Sequence, residues 1–139
     1  MPFVLDASMA MSWCFHDEAT VHNRGVLAAL VNTYAEVPPL WPYEIAKVLA
    51  IDERRQRITE AISSAFLQTL AGLDIRNDQV WQPIDGKALL PLVRRHGLTA
   101  YDAAYLELAK RSGLPPATLD AELIQAAPLE GVVLVSYHP

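Results

Sequence analysis

Cysteine is almost missing from this chain of 139 residues: Cys14 stands alone, so no internal disulfide forms, and no Cys or Cys/His pair has the spacing of a zinc site. Positive charge is scarce as well. Eleven Lys and Arg against sixteen Asp and Glu leave a formal charge of -5, which argues against holding nucleic acid by bulk positive charge but not against reaching it through a metal ion. No apolar run approaches the roughly 20 residues of a membrane-spanning helix. The opening "MPFVLDAS" lacks both the basic start and the long apolar stretch of a secretory signal. A reducing, cytoplasmic setting with no membrane attachment is expected. There is no G-x-x-x-x-G-K loop, no defensible Ser-His-Asp order, and His16 and His22 are not spaced as a metal pair, which argues against an NTPase or a triad hydrolase. No repeat, low-complexity tract or linker divides the chain, and 52% hydrophobic content suits one domain over residues 1–139.

What is present alternates between strands and helices. "FVLDAS" reads as a first strand ending in an acid, followed by a helix over residues 8 to about 15 and another from about 18 to 34 with Val26, Leu27, Leu30 and Val31 on one stripe. "EVPPLW" is extended because its prolines forbid a helix interior. A third helix starts at Pro42 and a fourth at Thr59 and Glu60. A turn or short extended stretch covers "GLDIRNDQVWQPID". Asp85 caps a fifth helix that Pro91 kinks or shortens and Gly97 closes, and a sixth runs from 99 to about 112, ended by Gly113. Only the end of "LPPATLD" is strand-like, Asp120 caps "AELIQAA", and the β-branched "GVVLVSY" reads as a buried final strand. Strands separated by helices predict an α/β fold: a central, mostly parallel sheet of four or five strands with helices on both faces.

Four acids stand at element boundaries: Asp6, Glu44, Asp102 and Asp120. Each has an ordinary structural explanation. Asp6 and Asp120 suit N-caps, Asp102 completes Thr-x-x-Asp with Thr99, and Glu44 near a helix start is favoured by the macrodipole. Together they suggest more. Ligands of an open parallel sheet bind beyond the carboxyl ends of its strands, where Asp6 and Asp120 fall. Asp102 shares a helical stripe with Tyr105, Leu106 and Ala109, so it points inward with no neighbouring base to pair it. Gathered carboxylates repel unless a cation holds them ionised, and hard oxygen donors without Cys or His select Mg²⁺ or Mn²⁺. Such an ion makes hydrolysis of a phosphodiester feasible.

The stretches "VLDASMAMSWCFHDE", "WPYEIAKVL", "LTAYDAAYLELAKRSGLPPATLD" and "GVVLVS" together resemble the PIN domain, specifically the VapC-type toxins of type II toxin-antitoxin pairs, over residues 3 to 136. The most specific part is "YDAAYLELA" followed by "ATLD", with its acid 18 residues after Asp102. The resemblance implies a small metal-dependent endoribonuclease whose acids Asp6, Glu44, Asp102 and Asp120 coordinate Mg²⁺ or Mn²⁺ and orient the attacking water. Asp6 and Asp102 would be direct ligands, with Asp120 and Glu44 acting through water. It also implies a homodimer, an RNA substrate, and a cognate antitoxin that wraps a hydrophobic groove, for which the apolar faces of the third and fourth helices are candidates.

Supporting residues follow from their positions. Ser8 and Thr118, each two residues from an acid, suit hydrogen bonds to a ligand carboxylate, and capping suits Ser8 equally. Lys47 stands where related sequences often carry Asn, one turn from Glu44, within reach of an ion pair, a substrate phosphate or only water. Arg54, Arg55 and Arg57, and Arg94, Arg95 and His96, read first as solvated helix ends and second as RNA contacts. Trp13, Trp41 and Tyr101 read as core or interface anchors. Two rivals remain: a noncatalytic PIN-like module binding RNA or protein, its acids serving as caps, and another Mg²⁺-dependent phosphohydrolase. An aspartyl-phosphate enzyme usually wants an Asp two residues after the nucleophile, where this chain has Ser8.

Overall fold

The computed structural model describes residues 1–79 and 86–136. Four short strands, β1 (Phe3–Leu5), β2 (Ala35–Val37), β3 (Ile75–Asn77) and β4 (Pro116–Ala117), form one sheet in the spatial order β3-β2-β1-β4. Every pairing is parallel, with Phe3 opposite Ala35, Val4 opposite Pro116 and Ala35 opposite Ile75. Among the described residues seven α-helices flank it: α1 (Ala7–Ser12), α2 (Val21–Ala29), α3 (Trp41–Arg54), α4 (Glu60–Ala71), α5 (Gly86–His96), α6 (Ala100–Ser112) and α7 (Ala121–Leu129). Successive strand residues face opposite sides of a sheet. Phe3, Val4 and Leu5 are all buried, so β1 is covered on both faces, as an α/β fold requires.

Capping chemistry sets most helix starts. Thr20, Thr59 and Thr99 each accept a first-turn N–H, from Asn23, Ile62 and Asp102. Gly113 ends α6 in the left-handed region at φ 69°, which a residue without Cβ adopts freely.

Several expected boundaries differ. The helix expected over 18 to 34 is α2 alone: His16–Glu18 forms a separate 3-10 turn, Thr20 caps the new start, and β2 takes over from Ala35. The first helix stops at Ser12, three residues short of the expected end. α5 continues past Pro91 to His96, while Asp85, expected to cap it, lies outside the described residues.

The final strand is a correction. Residues 132–136 form no strand, and Val133 is 78% exposed. Val135 N–H donates to the Pro116 carbonyl at 3.0 Å, but Pro115 and Pro116 have no N–H to donate, so β4 cannot supply a full ladder.

The strand order locates the site. From β1 the chain adds β2 and β3 on one side and β4 on the other, so the switch point lies between the carboxyl ends of β1 and β4. Asp6 follows the first directly, and Thr118 to Asp120 follow the second.

Candidate active site

Asp6, Ser8, Glu44, Lys47, Asp102 and Asp120 line one cleft of about 320 Å³ at that switch point. Thr118 lies buried beside it, bonded to Asp6. The topology therefore brings together all seven residues singled out above. A larger cavity, about 720 Å³, lies at the amino ends of the strands; it is lined mainly by apolar groups such as Phe3, Val26, Leu114 and Val132 and gathers no group of acids.

Asp6 is 4% exposed and occupies the N-cap position of α1, yet its carboxylate caps nothing. Its Oδ2 instead accepts from Ser8 Oγ at 2.8 Å and Thr118 Oγ1 at 2.5 Å. These hydroxyls also accept, Ser8 from Leu119 N–H at 2.9 Å and Thr118 from Asp120 N–H at 3.0 Å. The turn after β4 is thereby tied to the acid after β1. Burial pushes the Asp6 carboxyl above its ordinary range, the hydrogen bonds from Thr118 and Ser8 oppose that, and the charge of Glu44 adds to it. Thr118→Val, which keeps the shape but removes both hydrogen bonds, is expected to cost about 1–2 kcal/mol. Thermal unfolding in chelator measures it, and an unchanged Tm would deny the hydroxyl this role.

Asp120 caps α7, its Oδ1 accepting from Glu122 and Leu123 N–H at 3.0 Å each. Asp102 receives the Thr99 cap at its N–H (3.1 Å), but its half-buried carboxylate does not complete the capping box. One oxygen each of Asp102, Asp120 and Glu122 lies within 4.8 Å of the others. Burial, then the charges of Asp120 and Asp6, push Asp102 up to about 6. Three mutually repelling hard oxygen donors form a cluster able to hold a metal ion. Glu122 escaped the sequence reading because an exposed acid in a helix's first turn looks like dipole compensation; the signal was its place two residues after Asp120.

Glu44, in the first turn of α3, accepts from the Tyr105 hydroxyl at 2.6 Å rather than pairing with Lys47. Lys47 is exposed and makes no ion pair with any described residue. Three of the other bases singled out are engaged, whereas Arg54, Arg55 and Arg94 are exposed. Arg57 pairs with Asp17 at 3.1 Å and Glu18 at 3.3 Å and lies over the Phe15 ring, and Arg95 and His96 bind Glu130. Trp41 is buried and Trp13 donates to Asn23 O at 2.9 Å, whereas Tyr101 is 57% exposed and is no core anchor.

Over 123 residues the chain is 30% identical to a protein named Exonuclease VapC9 from Pyrobaculum aerophilum, spanning 88% of this chain and 83% of that one. The crystal structure of PAE2754 from Pyrobaculum aerophilum matches the fold with a TM-score of 0.70 at 23% identity, over 97% of this chain and 92% of that one. No family model matches the chain.

Proposed function

The chain belongs to the VapC family, and on that premise we propose that it is a metal-dependent endoribonuclease, the toxin of a toxin-antitoxin pair. The observation that carries the reading is the convergence of Asp6, Glu44, Asp102 and Asp120 on one cleft at the sheet's switch point. Asp102, Asp120 and Glu122 would hold the cation, and Asp6 and Glu44, on the same acidic wall, would add direct or water-mediated ligands. Hard donors favour Mg²⁺ or Mn²⁺. Bound there, such an ion acidifies a water and neutralises charge on a phosphoryl oxygen.

The chain's own groups supply the rest. Ser8 and Thr118 hold Asp6 in one orientation, so a carboxylate on the wall does not swing into solvent. Lys47, unpaired on the cleft's rim, meets a backbone phosphate of the substrate. A cognate antitoxin, a homodimer and a cytoplasmic setting complete the proposal. Exposed apolar groups on α3 and α4, among them Tyr43, Ile62 and Leu67, support a protein-binding face there, and among the described residues no helix is long and apolar enough to cross a membrane.

The relative's name specifies an exonuclease, so the test must separate the two modes. Circularised RNA has no ends. Cutting of a circular RNA in Mn²⁺, stopped by chelator, is the expected result. Cutting of linear RNA alone would favour the exonuclease mode, and binding of either without cutting would favour a noncatalytic module.

A further inference from the structure

Tyr105 is fully buried, at 0% exposure, yet its ring ends in a polar contact. The hydroxyl donates to Glu44 Oε1 at 2.6 Å, joining α6 to the first turn of α3. Tyr105 follows Asp102 by three residues, so one face of α6 carries both a cleft acid and the partner of another. We infer that Tyr105 is a positioning residue of the cleft, its hydroxyl holding Glu44 by one oxygen and leaving the other for metal and substrate. The inference rests on the reading of the cleft as a metal-dependent nuclease site.

Packing alone does not ask for this hydroxyl. Phenylalanine would fill nearly the same volume without a group that must find a partner when buried. Nor does anything else steady Glu44: among the described residues its side chain accepts one hydrogen bond, from Tyr105, and Lys47 on the next turn leaves it unpaired. A carboxylate fixed in this way loses less freedom on meeting a cation, as partners of metal ligands generally arrange.

The test is a double-mutant cycle on the full chain: wild type, Tyr105→Phe, Glu44→Ala and the double variant, each titrated with Mn²⁺ by calorimetry and melted in chelator. Tyr105→Phe is expected to weaken Mn²⁺ binding about 10- to 100-fold while melting within a few degrees of wild type. In the Glu44→Ala background the same change is expected to have no further effect. Wild-type affinity in Tyr105→Phe overturns the inference, as does an effect that adds in full to that of Glu44→Ala. A variant that does not fold overturns it too, since the hydroxyl then serves the core. Wild-type protein that takes up no Mn²⁺ overturns the nuclease reading along with it, whereas the preceding outcomes overturn the Tyr105 role alone.

Discussion

Asp102→Asn is expected to lower RNA cleavage at least about 10³-fold, equivalent to roughly 4 kcal/mol of transition-state stabilisation, while making the metal-free fold more stable. The loss follows because an amide cannot neutralise a cation as a carboxylate does. The gain follows from the acid's surroundings: burial and the charges of Asp120 and Asp6 raise it from 3.8 to about 6. Such a group is ionised less readily in the folded chain than in the unfolded one, so its charge burdens the fold increasingly as pH rises from 3.8 to about 6, and fully above that. Full conversion of the shift at about 1.4 kcal/mol per unit overstates the burden, because Asp102 is half exposed; with screening it is about 1–2 kcal/mol. Thermal melts in chelator should therefore place Asp102→Asn roughly 3–8 °C above wild type above pH 6 and level with it near pH 4. The same acid makes Mn²⁺ uptake weaken as pH falls below about 6, because proton and metal compete. A variant inactive but no more stable would mean that the carboxylates do not repel one another as their positions imply.

Glu130→Ala is the second large effect, and it falls on stability. The Glu130 side chain is 4% exposed and binds three bases from two other helices: Lys110 at 2.8 Å, Arg95 at 2.6 Å and His96 at 2.7 Å. Lys110 and Arg95 are themselves 42% and 59% exposed, so those bonds are partly screened, whereas His96 is 6% exposed. Losing the shared carboxylate leaves three bases without their partner, one of them a largely covered ring, and the expected cost is about 1–3 kcal/mol by urea unfolding. Breaking the exposed Arg57 pairs with Asp17 and Glu18 should leave the urea midpoint nearly unchanged, because water screens them. The bonds from Lys110, Arg95 and His96 hold Glu130 at about 2, below its ordinary 4.5. Its contribution is thus fully present above pH 4.5 and lost as pH falls to 2, and Glu130→Ala should flatten acid unfolding in that window. An unchanged urea midpoint would show that the four groups are well solvated.

Much of this was legible in the sequence. Thr59, Thr99 and Asp120 mark helix starts because capping is local chemistry, visible within four residues. The four acids were legible as a group because each falls just beyond a strand or in a helix's first turn, and a parallel sheet sends such positions to one edge. The β-branched run "GVVLVSY" misled because propensity reports what a segment would do beside a willing partner, and β4 with its prolines is not one. Tyr105 reads as a core residue and is one; what periodicity cannot express is where the far end of its ring reaches. Glu122 joins Asp102 only through the arrangement of α6, β4 and α7, which no local window contains.

The Asp6 to Thr118 bond spans 112 positions of chain. Closing so long a loop is entropically slow and cannot begin until both ends exist. During synthesis the first acid of the cleft waits through most of translation for the hydroxyl that orients it, and Asp120 and Glu122 emerge later still. A chain released before residue 118 would carry Asp6, Glu44 and Asp102 but lack β4, which pairs with β1 and seats the remaining acids. Cleft assembly therefore cannot be completed until β4 and the start of α7 have been made, and premature termination yields fragments without the complete acidic cluster.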